Sequence, residues 1–127
     1  MIVYCTLCCK KKSLNKRKIK SIKRYLSGRI KKIYQKSNLD RVGFRIFSGK
    51  YGLLKPGKKI FWYDEKLSQK KISKMAGLLK KQILNERITR IVFFSYNLQR
   101  DKGAKPYFKS LKTACLEMKV DLRIRYL

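Results

Sequence analysis

Residues that could do chemistry gather in one stretch, Phe47-Ser48-Gly49-Lys50-Tyr51-Gly52-Leu53-Leu54-Lys55-Pro56-Gly57. Gly49 and Gly52 bracket Lys50 and Tyr51. Glycine allows positive φ and lets a ligand come close to backbone N–H groups. Lys50 adds a mobile cation, and Tyr51 an aromatic face with a hydroxyl. The plainer reading of the same stretch is a strand-to-helix turn whose leucines plug into the core. Thr6, Ser48 and Ser95 each end an apolar run. With the glycine N–H groups, Lys50 and helix N-termini they would form a phosphate-sized pocket. Tyr51, Trp62, Tyr63 and Tyr96 could stack on a base, at roughly 1–3 kcal/mol per base. Asp64 could accept from a base edge or serve as general base. The candidate catalytic residues are therefore Lys50, Tyr51, Asp64 and Cys5. The candidate ligand contacts are Thr6, Ser48, Gly49, Gly52, Tyr63, Ser95, Tyr96 and Lys105.

Other chemistries are poorly supplied. The chain has no histidine, which removes Ser-His-Asp and Cys-His catalysis and histidine metal sites. Asp64-Glu65 is the only adjacent carboxylate pair, too few for a metal-dependent nuclease. Neither a Walker-type phosphate loop nor a Gly-x-Gly-x-x-Gly dinucleotide fingerprint occurs. Cys5-x-x-Cys8-Cys9 stays open to several readings. With Cys115 it could offer thiolates to zinc or an iron–sulfur cluster, but a second Cys-x-x-Cys is missing. Cys8 or Cys9, near a helix N-terminus and Lys10, Lys11 and Lys12, could be a reactive thiolate. Alternatively Cys5 is a small core residue. No resident metal or cofactor is expected.

The glycine stretch resembles the Ser-Ala-Lys-(Tyr/His)-Gly-Leu-Leu-x-Pro signature of a family of small α/β domains of unknown function from phages, bacteria and archaea. A similar segment occurs in YaaA-like peroxide-stress proteins. The match is Ser48, Lys50, Tyr51, Gly52, Leu53, Leu54 and Pro56, with Gly49 for the family's alanine. Trp62-Tyr63-Asp64 stands where the family has Pro-Tyr-Asp. Val3-Tyr4-Cys5-Thr6 stands where it has a strand ending Ser-Cys-Thr-Lys, with tyrosine for serine and Leu7 for lysine. The resemblance implies an α/β fold, and a distant likeness to glycosylase-like domains implies chemistry on N-glycosidic bonds.

The chain of 127 residues is expected to form a single α/β domain over 1–127. Its 35 Lys and Arg against 7 Asp and Glu give a net charge of +28. Such charge attracts polyanions in a salt-dependent way. AT-rich coding inflates lysine but does not deplete glutamate, so it does not explain the imbalance. DNA or RNA backbone is the expected partner, ahead of an anionic membrane. No apolar run of membrane-spanning length and no signal-peptide layout is present, so a cytoplasmic location with reduced thiols is expected.

Elements must carry these residues. Ile2 to Thr6 reads as a buried first strand, and Cys5 to Ser13 as the loop after it. From Leu14 to about Lys36, Ile19, Ile22, Leu26, Ile30 and Ile33 fall at helical spacing, with Ser13 as N-cap. The opposite face of that helix would present Lys16, Arg17, Lys20, Lys23, Arg24 and Lys31, which with Lys11 and Lys12 would hold nucleic-acid phosphates. Val42 to Phe47 is a second strand ending at the glycine loop, Ser48 to Gly57. Lys58 to Leu67 is irregular, and Ser68 caps a helix carrying Ile72, Met75, Ala76, Leu79 and Ile83. Ile88 to Ser95 is a third strand, and Pro106 opens a last helix after the loop Ser95 to Lys105. Asp121 to Leu127 alternates like an edge strand. The pattern predicts a small doubly wound parallel sheet of about four strands, order 2-1-3-4, flanked by three helices, with the three loops meeting at its carboxyl end.

Three functions compete: a nucleic-acid-binding protein with a phosphate or nucleotide pocket, an enzyme acting on a nucleotide or base, and a basic packaging protein of a virus or mobile element.

Overall fold

Three apolar runs become central strands because both of their faces are covered by helices. The computed structural model describes residues 1–127. In chain order the elements are β1 (Ile2–Leu7), β2 (Ile19–Lys20), α1 (Ser21–Arg24), α2 (Gly28–Leu39), β3 (Gly43–Ser48), β4 (Gly52–Leu54), β5 (Lys59–Ile60), α3 (Ile72–Glu86), β6 (Arg90–Ser95), α4 (Lys105–Glu117) and β7 (Asp121–Tyr126). The main sheet has order β4-β3-β1-β6-β7. β3, β1, β6 and β7 run parallel, and β4 pairs antiparallel with β3. The four parallel strands keep the expected 2-1-3-4 order. A fifth strand is added outside the second, and β2 pairs with β5 in a separate antiparallel ribbon.

Alternation along the strands sends side chains to two cores. On one face Val3, Cys5, Phe47, Ile91 and Phe93 pack against Met75, Leu79 and Ile83 of α3 and Leu111, Ala114 and Cys115 of α4. On the other, Phe44, Ile46, Val92 and Phe94 pack against Ile30 and Ile33 of α2, together with Tyr25, Ile60 and Tyr63. Each large apolar side chain so buried contributes about 1.5–3 kcal/mol. β7 alternates between half-buried and exposed residues, as an edge strand does. No helix is long and apolar enough to cross a membrane.

The expected helix from Leu14 to Lys36 does not form as one piece. Residues before Ile19 are loop, followed by β2, the single turn α1, a break at Tyr25 with φ −86° and ψ 124°, and then α2. Leu26, read as part of the apolar stripe, is exposed, as is Leu14, where the helix was expected to begin. The cause is Arg24, whose side chain is fully buried. Its Nη1 donates to the carbonyls of Ser13 (2.7 Å) and Asn15 (2.9 Å), and its Nη2 to those of Arg17 (2.7 Å) and Ile60 (3.0 Å). Four carbonyls on one guanidinium hold the loop in a shape a helix would abolish. The N-cap is Ser27, whose Oγ accepts from Ile30 N at 3.3 Å, and not Ser13. Arg24 is thus a buried structural cation and not a phosphate contact. α1 brings the helix count to four.

The glycine loop is also different. Gly49, Lys50 and Tyr51 form a tight turn, and Gly52 to Leu54 fold back beside β3. The segment is a hairpin and does not lead into a helix. Ser68 begins a short 3₁₀ turn ahead of α3 and makes no side-chain cap bond.

Candidate functional site

Three hydroxyls end neighbouring strands as expected, but each is occupied. Thr6 is fully buried. Its Oγ1 donates to Phe94 O at 3.0 Å and accepts from Arg29 Nη1, which also donates to Leu7 O at 3.0 Å. Ser48 Oγ accepts from the backbone N–H groups of Lys50 and Tyr51, both at 3.1 Å, and shares a 2.7 Å hydrogen bond with Tyr63 Oη. Ser95 Oγ donates to Tyr96 O at 2.9 Å. The N–H groups that would have cradled a phosphate are therefore satisfied by Ser48 itself. No open anion pocket lies over Thr6, Ser48 and Ser95.

The glycines serve close packing. A Cβ on Gly49 would lie 2.7 Å from Tyr107 Oη and 2.8 Å from Leu67 N, leaving no room for a ligand. Gly52 has φ +69°, and a Cβ there would meet Gln82 Oε1 at 2.5 Å. Gln82 clasps the hairpin: it accepts from Leu53 N at 2.8 Å and donates to Tyr51 O at 3.0 Å. Nothing in the sequence pattern singled out Gln82, which sits in α3 between apolar stripe positions.

The tyrosines form a cluster centred on Tyr63. Its ring meets Tyr51 edge-on at 5.3 Å and Tyr25 at 6.4 Å, and its hydroxyl is hydrogen-bonded to that of Tyr25. Lys12 Nζ lies 4.8 Å from the Tyr63 ring centre and Lys50 Nζ 5.8 Å. Such contacts contribute about 0.5–1 kcal/mol each where exposed. Burial raises the Tyr25, Tyr63 and Tyr107 phenols well above their ordinary range. They stay protonated and act as hydrogen-bonding groups, not bases. Tyr63 is buried and has no free face for stacking.

A cleft of about 480 Å³ does open nearby, between the segments that follow β1, follow β5 and lead into α4. Leu7, Cys8, Cys9, Lys10 and Lys12 line it from the first segment, and Tyr63, Asp64, Glu65 and Lys66 from the second. Asp101, Gly103, Ala104 and Tyr107 complete it. Of its carboxylates, Glu65 pairs with Lys71 at 3.0 Å, and that hydrogen bond lowers its pKa. Asp101 caps Ala104 N at 3.3 Å. Asp64 is exposed and makes no hydrogen bond or ion pair within the chain, so both of its carboxylate oxygens are free to meet a ligand donor. Among the expected site residues the cleft brings together Lys12, Tyr63 and Asp64. Thr6, Ser48, Lys50, Tyr51, Ser95, Tyr96 and Lys105 lie outside its lining.

Two of the four thiols, Cys5 and Cys115, are core residues, and Cys8 and Cys9 are partly buried. Cys5 is fully buried between Arg45 and Phe93 of the flanking strands, and burial drives its pKa far upward. It is a core residue and not a nucleophile. Burial likewise pushes Cys115 up to about 12 and raises Cys9. The lysine-activated thiolate was expected at Cys8 or Cys9; no helix starts there, desolvation at Cys9 outweighs the nearby charge, and Cys8 is a partly buried residue of the cleft wall. No group of three or more Cys, Asp or Glu side chains is placed to share a metal ion.

Tyr96 projects beyond β6 with 55% of its surface exposed, and Arg29 sits 5.9 Å over its ring. Together with Gly28, Lys31 and Lys32 they border an open basic hollow at the start of α2. Lys11, Lys16, Arg17, Lys20, Lys23 and Lys31 are exposed, and Lys12 is partly covered. Arg29, Tyr25 and Lys18 were missed because the single-helix reading gave them no distinct place. No protein-family model, curated protein sequence or solved structure matches the chain.

Proposed function

We propose that this α/β domain binds nucleic acid through its phosphate backbone, with the cleft beside α4 receiving a nucleotide or base. One observation carries the reading. Residues 1–39 hold thirteen Lys and Arg and no acid, and most of these cations lie on the surface around β2, α1 and α2. Elsewhere five of the seven acids are neutralised locally. Asp40 pairs with Lys36, Glu65 with Lys71, Glu86 with Arg45, Glu117 with Lys80, and Asp121 with Arg90 and Arg123. Like charges this dense repel one another; a polyanion's phosphates offset that repulsion, and release of its condensed counterions drives the binding. Kinship with the small α/β domains that share the glycine signature belongs to the same proposal.

The test is affinity for an oligonucleotide as a function of salt. Contact with about 6 phosphates gives a log–log slope of roughly −5. A flat response would contradict the reading.

Asp64 supports a second reading, an enzyme acting on a base or nucleotide. Its unpaired carboxylate faces a cleft that also holds Lys10, Lys12 and Lys66. Nucleosides, nucleotides and DNA incubated with the protein and analysed by mass would reveal a product. Asp64→Asn should abolish it with the fold intact, and unchanged turnover would remove Asp64 from the role.

A further inference from the structure

We infer that Phe61 and Trp62, directly after the β2–β5 ribbon and anchored by it, form a stacking platform for unpaired bases, so that the preferred nucleic acid is a single strand. The inference rests on the backbone-binding reading above and narrows it. Phe61 and Trp62 are consecutive, yet both stand about half exposed, at 53% and 49%. Their neighbours on either side are buried, Ile60 at 3% and Tyr63 at 5%. Both anchors are fixed. Ile60 pairs with Ile19, and its carbonyl accepts from the buried Arg24. Tyr63 Oη is bonded to Ser48. The ribbon is tied down further by Ser21, whose N donates to Lys58 O at 2.7 Å and whose Oγ donates to Lys55 O at 2.7 Å. Two aromatic rings are thus held at the surface on a rigid support, instead of being folded inward as their apolar area favours.

The surroundings specify the partner. Lys18 Nζ lies 5.2 Å from the Phe61 ring. Lys20 stands directly opposite Lys59 across the ribbon, a like-charge pair that destabilises it. Between the first residue and Tyr63 the only acid is Asp40, which is held by Lys36. Exposed rings among unneutralised lysines match a strand that offers phosphates and free base faces together. A duplex hides those faces. An anionic membrane offers charge and apolar depth but no bases.

Trp62 is the only tryptophan, so its emission reports on the platform directly. The protein is titrated at fixed salt with a deoxythymidine oligonucleotide, its uridine equivalent, an abasic oligomer with as many phosphates, a blunt duplex, and vesicles of phosphatidylglycerol and phosphatidylcholine. Expected are quenching and tighter binding by either base-bearing single strand than by the abasic oligomer or duplex. Trp62→Ala and Phe61→Ala should each weaken single-strand binding roughly five- to 150-fold, and Trp62→Tyr should restore most of it. None of these changes should alter affinity for the abasic oligomer. Both side chains are half exposed, so the variants are expected to stay folded, which circular dichroism checks. Equal binding of abasic, duplex and base-bearing oligomers, or no loss in the alanine variants, overturns the platform while the salt-dependent backbone reading stands. A Trp62 response to vesicles alone overturns it in favour of a membrane surface. Loss of salt-dependent binding to every oligomer overturns both readings.

Discussion

At the scale of single residues, the polar groups that look reactive in the sequence mostly hold the fold. Ser48 satisfies its own turn, Thr6 ties β1 to β6, and Tyr63 links the hairpin to Tyr25. Arg24 is the extreme case. Replacing it with alanine leaves four carbonyls without their donor, so Arg24→Ala should lose about 2–4 kcal/mol in urea unfolding. A change within about 0.5 kcal/mol, the range of an ordinary surface substitution, would show that the guanidinium is not what shapes the loop. The buried thiols and phenols set a pH dependence. Burial raises Cys115 from 9.0 to about 12, and raises Cys5, Tyr25, Tyr63 and Tyr107 as well. A raised folded pKa gives stability that is complete below the unfolded value and is lost as pH rises toward the folded one. Unfolding free energy should therefore start to fall near pH 9.0, where the unfolded thiols ionise, and fall faster beyond pH 10.0, where the phenols follow. A stability profile flat through that window would mean these groups are not buried.

At the scale of elements, the four parallel strands were legible and the N-terminal helix was not, for a definite reason. A continuous apolar run such as Ile91 to Phe94 has one low-energy place, the middle of a covered sheet. The series Ile19, Ile22, Leu26, Ile30, Ile33 has helical spacing, but spacing does not show that Arg24 enters the core. The break follows from that tertiary choice, with Ser27 restarting the helix. Ser27→Ala should lower stability by about 1 kcal/mol through the lost cap. The hairpin hid for a related reason. Glycines at 49 and 52 signal special backbone, and a ligand and a packed backbone both demand that. Gly49→Ala separates the two, because its Cβ would press on Leu67 N and on Glu65 O at 3.1 Å. A loss of about 1–3 kcal/mol, read as a fall in Tm, is expected from such overpacking. An unchanged Tm would return Gly49 to the candidate ligand contacts. The cleft itself was only partly legible. Tyr63 and Asp64 were expected at the site and the loops holding Lys12 and Asp101 were expected to meet there, whereas Lys12 itself was assigned to phosphates and Lys66, in the segment after β5, was not singled out.

At the scale of the molecule, charge is unevenly placed. The β2–α1–α2 side carries cations with no acid before Asp40, while the α3 and α4 side mixes lysines with Glu86 and Glu117. A net charge of +28 alone attracts any polyanion, and a packaging role would need no more than that. The claim made for this protein is stronger: one side is the interface. Two triple variants of equal net charge decide it. Lys16, Lys20 and Lys23 are exchanged for glutamate in one, and the exposed Lys81, Lys109 and Lys112 of α3 and α4 in the other. Oligonucleotide affinity is then measured for both at the same salt. The first variant should bind far more weakly than the second and show a salt slope shallower by roughly 3. Equal losses in the two would contradict a localised interface and leave only the attraction of total charge.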